Sequence, residues 1–186
     1  MTQRIEFSEE MVGNAHPTKA DTLNRFINLI TAQGDTLYGT AAATAAALAK
    51  GVANTKLFMN AAATAPEWAT GIIPLSFSRV MSVASGDVAY TGAGFKPAMI
   101  KITTCIPGQA FSFSIGVSTG PAFNQCIWLH PDTTWALSSL VCVGTESAGN
   151  NQTATVKTMD ADGVTLTWTK TGTPTASIAA IIEYYR

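Results

Sequence analysis

Asp160-Ala161-Asp162-Gly163-Val164-Thr165-Leu166-Thr167-Trp168-Thr169-Lys170 is the stretch on which the reading of this chain turns. In an extended backbone Val164, Leu166 and Trp168 fall on one side and Thr165, Thr167 and Thr169 on the other. That period of two belongs to a strand with one buried and one wet face. Asp162-Gly163 offers a tight hairpin turn ahead of it, because Gly tolerates positive φ. Thr171-Gly172-Thr173-Pro174-Thr175 then breaks the run, and a second β-rich run leads from Ala176 to Arg186. A strand buried along its length must close a sheet, so residues 72–186 read as a compact antiparallel β-sandwich, jelly-roll-like in order.

Working back from there, short β-rich runs recur with turn signals between them. They are Val80 to Val83, Asp87 to Tyr90, Ala98 to Thr104, Phe111 to Ile115, Phe123 to His130, Ala136 to Val143 and Gln152 to Met159. This spacing, with Gly and Pro in the gaps, indicates an all-β sandwich or barrel. No helical block interrupts it, which disfavours a parallel α/β sheet.

The first third reads differently. Residues 1–19 form a polar lead segment with breakers at Gly13-Asn14 and His16-Pro17, and Thr18 caps a helix starting near Ala20. Over residues 20–56 the positions Leu23, Ile27, Ile30, Gly34, Leu37, Ala41, Thr44 and Leu48 follow the 4-3 alternation of a coiled-coil seam. Two ordinary amphipathic helices broken at Gly34 or Gly39 fit the same residues. A lone helix of this kind is marginal in water. The expectation is therefore a stalk in which copies bury Leu23, Ile27, Ile30, Leu37 and Leu48 against one another, as a homotrimer. Residues 57–71 read as a linker, where Pro66 rules out a helix and Trp68 packs on a neighbour.

Composition narrows the functions. Eleven Lys and Arg against twelve Asp and Glu give a net charge of −1, so no global field draws polyanions. No cation lies between Lys101 and Lys157, and a nucleic-acid surface needs several. The Ala-rich run Ala41 to Ala49 is shorter than the ~20 residues needed to cross a bilayer, and residues 1–11 lack the apolar run of a secretion signal. Synthesis in the cytoplasm follows. Cys105, Cys126 and Cys142 form neither a disulfide framework nor a CxxC pair and read as buried thiols.

Four stretches carry a resemblance. Gly13-Asn14-Ala15-His16-Pro17-Thr18-Lys19-Ala20-Asp21-Thr22-Leu23-Asn24-Arg25 is similar to openings of tailed-bacteriophage fibre and spike proteins. Leu57-Phe58-Met59-Asn60-Ala61-Ala62-Ala63-Thr64-Ala65-Pro66-Glu67-Trp68 resembles their inter-segment linkers, with Ala63 where Gly is common. Gly92-Ala93-Gly94-Phe95-Lys96-Pro97-Ala98 resembles a strand entry of their small β-domains. Asp160 to Trp168 followed by Thr173-Pro174-Thr175 resembles their ending, with Ala176 a departure. The resemblance implies a virion appendage, usually homotrimeric, fixed to other virion proteins through its N-terminal part, with a distal domain facing the host.

Chemistry is sparse. Gly116-Val117-Ser118-Thr119-Gly120 matches a nucleophile elbow, but that motif needs a strand–turn–helix and a later His. Here Pro121 and a strand follow, and His130 precedes Asp132. Asp160, Asp162 and Gly163 echo a calcium loop without its other ligands. No zinc set or other cofactor site is legible. The candidate ligand surface is Trp128, His130, Asp132 and Trp135, two indoles with an imidazole and a carboxylate around a Pro-Asp turn. Such a group would stack on a sugar ring and hold its hydroxyls, aided by Asn124, Gln125, Asn150 and Asn151. The alternative is that both indoles are core residues flanking a loop. Asp132 and Glu146 are the only carboxylates between Asp87 and Asp160, a poor basis for a depolymerase. The expectation is a non-enzymatic fibre or spike protein that adheres to the bacterial surface through glycan. The competing class is a decoration or connector protein without a ligand.

Overall fold

The computed structural model describes residues 28–29, 32–41, 44–60, 64–109, 112–129 and 134–186. The chain divides into two compact units, Met1–Thr70 and Gly71–Arg186. All regular elements among the described residues are strands.

In the first unit β1 (Thr36–Ala41) pairs antiparallel with β2 (Thr44–Leu48), and β3 (Lys56–Met59) with β4 (Pro66–Ala69). The Asp35 carboxylate accepts the N–H of Ala32 at 2.9 Å and of Lys50 at 3.1 Å, tying the two ends of the first hairpin together. The Trp68 indole N–H donates to the Ala49 carbonyl at 2.7 Å. Its ring lies so close to Gly51 that a Cβ there would come within 2.6 Å of it. The Asn60 Oδ1 accepts the N–H of Thr64 and Ala65 and shapes the β3–β4 loop.

A helical stem over residues 20–56 is therefore not what forms in its described part. Leu37 sits opposite Ala47 and Leu48 opposite Thr36, so the two leucines point to opposite faces and share no seam. Leu23, Ile27 and Ile30 lie outside the described residues. The physical reason is that Thr36-Leu37-Tyr38 favours a pleated surface, while Gly34 takes a φ of +93° and ends any continuous helix. The alanines of β2 pair across the hairpin and do not pursue their helical propensity.

The second unit contains β5 (Ile72–Val80), β6 (Gly86–Thr91), β7 (Met99–Cys105), β8 (Phe113–Gly120), β9 (Phe123–Leu129), β10 (Trp135–Ser138), β11 (Cys142–Ser147), β12 (Asn150–Asp160), β13 (Gly163–Thr171) and β14 (Ser177–Tyr185). They form a six-stranded sheet, β10-β9-β8-β7-β14-β5, and a four-stranded sheet, β11-β12-β13-β6. Every pairing is antiparallel. The sandwich expected from the alternation is present. Alternation of strands between sheets, the jelly-roll habit, occurs at the ends of the unit, where β5 pairs with β14 and β6 with β13. Between them β7–β10 and β11–β13 run as meanders.

The alternating run Val164 to Thr169 belongs to β13, with Val164, Leu166 and Trp168 fully buried. The turn before it is Ala161-Asp162, since Asp160 pairs with Gly163. Gly163 has φ +140° and lies against the Tyr90 carbonyl, where a Cβ would come to 2.1 Å. Trp168 anchors the core. Its N–H donates to the Tyr90 hydroxyl at 3.1 Å, and Phe77 meets it edge-on. From the other sheet come Ile178, Ile182 and Tyr184 of β14 and Ile100 and Ile102 of β7, all buried. A buried polar knot sits beside them. Arg79 Nε donates to Gln152 Oε1 at 2.9 Å, its guanidinium lies 5.3 Å from the Trp168 ring centre, and Gln152 Nε2 donates to the carbonyls of Met81 and Val83. Hydrogen bonds to the neutral Gln152 amide and the Ala84 carbonyl offset part of the cost of burying this charge.

Candidate functional site

The outer faces of the two sheets differ in chemistry. That of the four-stranded sheet carries Thr153, Thr155, Thr165, Thr167 and Thr169, with a Lys157–Asp87 ion pair. It is an ordinary wet face. The outer face of the six-stranded sheet is not.

On β8 the alternation runs the unexpected way. Ser114, Gly116 and Ser118 are buried, while Phe113, Ile115 and Val117 point outward. The inward residues are small because the β10–β11 connection and β11 itself press onto them. Val143 N–H donates to Ser114 Oγ at 3.1 Å, Thr104 Oγ1 lies 2.7 Å from the same hydroxyl, and a Cβ on Gly116 would come 1.9 Å from the Val141 carbonyl oxygen. Next along the sheet β9 directs Ile127 and Leu129 outward, and β10 directs Trp135 and Leu137 outward. Half of this sheet thus carries its larger aliphatic groups on the solvent side, and β14 adds Ile181. Ile181, Thr103, Ile115, Ile127 and Leu137 face one another across five strands as a single row. Ile127 is 52% exposed, Ile181 53% and Leu137 68%.

The neighbouring row contains Ala179, Cys105, Phe113, Leu129 and Trp135. Its small members leave a shallow hollow of about 330 Å³ beside Phe113 and Ile181. At the corner Trp135 is 63% exposed and takes the Phe113 ring edge-on, with centroids 6.5 Å apart. Across the six strands the only outward charges are Lys101 and Glu183, bridged at 2.7 Å. Each shifts the other: hydrogen bonding to Lys101 holds the Glu183 carboxyl below its ordinary value, and Glu183 holds the Lys101 ammonium above its own.

The sugar-stacking group expected from the sequence is not assembled as a pair of indoles. Trp128 lies opposite Ala136 and Trp135 opposite Leu129, which puts the two rings on opposite faces of the sheet. Trp128 is half-buried on the inner side. His130 and Asp132 fall outside the described residues. Asn124 is committed elsewhere, its Oδ1 accepting the Val156 N–H at 2.9 Å and its Nδ2 donating to the Pro121 carbonyl. Asn150 accepts the Thr173 N–H and donates to Ser147, a turn role. Gln125 is half-buried on the outer face of β9, and Asn151 belongs to β12.

The other motifs resolve into structure. Ser118 sits on a strand, fully buried, exchanging hydrogen bonds with the backbone of Gly120, so its hydroxyl is no presented nucleophile. Asp162 accepts the N–H groups of Gly92 and Gly94, and Asp160 accepts the hydroxyls of Thr158 and Thr165. These carboxylates shape turns. Among the described residues no group of three or more His, Cys, Asp or Glu is placed to hold a metal ion. Two of the thiols are buried as expected, with the Cys142 thiol pushed up to about 12 by burial. Cys105 is exposed, a correction that its position on the outer row explains.

Sequence reasoning missed Ile115, Ile127, Leu137 and Ile181 as surface groups. The signal was present in Phe111-Ser112-Phe113-Ser114-Ile115, whose alternation fixes two faces without saying which one is inside. Compared with protein-family models, curated proteins and solved structures, the chain gives no significant match.

Proposed function

We infer that this chain is a non-enzymatic component of a tailed-bacteriophage particle, a fibre or spike protein whose β-sandwich meets the bacterial surface. The observation that carries the reading is the exposed Trp135 at the corner of the six-stranded sheet, braced by Phe113, set beside the fibre-like order of sequence motifs. Exposed apolar patches of this kind are contact surfaces. A flat indole braced by Phe113 is suited to the apolar side of a sugar ring, and the ligand class is therefore surface glycan. Trp135 takes this role without Trp128. On this reading the N-terminal segment attaches to other virion proteins, the copies act together as a homotrimer, and the protein resides in the virion. Many weak sites on one particle then give avidity that a single site lacks.

Binding of the purified protein to host-range cells and to a glycan array tests this. Trp135→Ala is expected to lower single-site affinity about tenfold, or ~1.4 kcal/mol, while the loss of its ring pair with Phe113 lowers stability by no more than ~0.5–1.5 kcal/mol. An unchanged affinity would remove Trp135 from the site. The aliphatic, charge-poor character of the remaining face favours a second reading, a connector or decoration protein that touches only protein. Such a protein would bind neither cells nor glycans.

A further inference from the structure

We propose that the outward face of the six-stranded sheet is where the sandwich docks against a further copy of this same chain. The inference goes beyond the adhesive reading and does not depend on it. It starts from the inversion of β8 and β10. In these two strands the larger apolar groups point to solvent while Ser114, Gly116, Ser118 and Ser138 point inward or lie half-buried behind them, and β9 between them adds Ile127 and Leu129 to the outward face although Cys126 and Trp128 turn inward. A free surface has no use for that arrangement, and the threonine face on the other sheet of the same unit shows the ordinary one.

Three features select another copy of this chain as the occupant. The first is charge. A contact between copies of one chain brings surfaces of the same composition together, so an unbalanced charge would meet its like. Here the two outward charges, Lys101 and Glu183, already neutralise each other across 2.7 Å. The second is shape. Ile127 and Leu137 stand up at one end of the row, and the hollow lined by Ser76, Thr103, Cys105, Phe113, Ala179 and Ile181 lies at the other. Each copy thus supplies both a ridge and a recess. The third is size. Six strands at ~4.8 Å spacing and seven residues of strand length give a face of about 24 by 20 Å before side-chain relief. That projects to about 480 Å², close to the ~500 Å² per partner that a specific interface must clear, and the side chains standing up from the sheet enlarge it.

Cys105 provides a native reporter, because it lies in the hollow while the other two thiols are buried. The full chain is labelled with a thiol reagent at low and high protein concentration, and its mass is read by sedimentation equilibrium. The same is done for the double variant Ile127→Asp with Leu137→Asp, and for Thr155→Asp on the opposite face. The expected result is a wild-type mass above one chain, with labelling of Cys105 slowed at least tenfold. The double variant should regain fast labelling, and Thr155→Asp should behave as wild type. Equal labelling rates for wild type and double variant overturn the proposal. So does a protected Cys105 in a species of one chain, which would mean cover from within the chain. Circular dichroism checks the fold of each variant. If the double variant does not fold, the concentration dependence of wild-type labelling decides: present, it supports the interface; absent, it overturns it. Cell binding is read separately, so losing one activity with the other intact shows which of the two readings has failed.

Discussion

Gly116 shows how much a single missing Cβ decides. Its backbone lies against Val141, and a methyl group would meet the carbonyl oxygen at 1.9 Å and the carbonyl carbon at 2.6 Å. Both are main-chain atoms, so no rotamer change relieves the clash. Gly116→Ala is expected to destabilise the sandwich by about 1–3 kcal/mol, the usual range for overpacking, or by more if the β10–β11 connection is forced away. Thr119→Ala, on the exposed side of the same strand, should cost under about 0.5 kcal/mol. Urea unfolding midpoints of the two variants test the contrast, and equal midpoints would refute it. The residue pattern Gly116-Val117-Ser118-Thr119-Gly120 was legible in the sequence, and so was its poor fit to a nucleophile elbow. What the glycine was for was not, because the atom that requires it belongs to a connection some 25 residues away. The same limit applied to Trp128 and Trp135. Their separation in sequence is seven residues, but their faces depend on the register Leu129↔Trp135, which no local rule fixes.

Strands were easier to read than the faces they present. β14 coincides with the run expected from Ser177 to Tyr185, and β13 lies close to its own, because both alternate sharply and are bounded by Gly or Pro. β5 was not among the expected runs, and its Pro74 is accommodated because β5 is the sheet's edge, where proline is tolerated. Ala136 to Val143 read as one strand and is two, since the chain leaves one sheet after Ser138 and joins the other at Cys142. How elements are fastened was not legible at all. The carboxylate of Glu146 on β11 accepts the N–H groups of Thr175 and Ala176 and the hydroxyl of Thr175, at 2.6, 3.2 and 2.9 Å. It thereby fixes the loop that leads into β14. Hydrogen bonds from Thr175 and Ala176 hold its pKa below the ordinary 4.5. The unfolded chain therefore takes up this proton at higher pH than the folded one. The stabilisation is present above about pH 4.5 and is lost as pH falls through the folded value. Glu146→Gln should flatten the acid side of the curve of melting temperature against pH. Asp87 and Glu183, also lowered, should leave a residual slope. An acid limb identical to wild type would show that the Glu146 contacts do not persist in solution.

At the scale of the whole molecule, the second unit is closed by its own two ends. β5 and β14, its first and last strands, pair from Ile72↔Tyr185 to Val80↔Ser177, and the Arg186 N–H donates to the Gly71 carbonyl at 3.2 Å. β5 also brings Phe77, 4.3 Å from the Tyr90 ring, and Arg79 over Trp168, so it completes the core as well as the sheet. The composition pointed to this sandwich, but the joining of its ends follows from the strand order β7-β14-β5, a long-range pairing that periodicity does not encode. The consequence is a sharp boundary for truncation. A fragment of residues 71–186 should unfold in a single cooperative transition, with near-ultraviolet circular dichroism matching the sandwich signal of the full chain. A fragment of residues 81–186 loses β5, uncovers β14 along its whole length, and leaves Gln152 without its Arg79 partner. An uncovered apolar strand edge is a template for intermolecular pairing, so this shorter fragment should aggregate or remain unfolded. Calorimetry on the two fragments decides between self-closure and dependence on the rest of the chain. If residues 71–186 melt without cooperativity, the sandwich relies on residues 1–70. If residues 81–186 fold normally, the β5–β14 pairing is not what closes the unit.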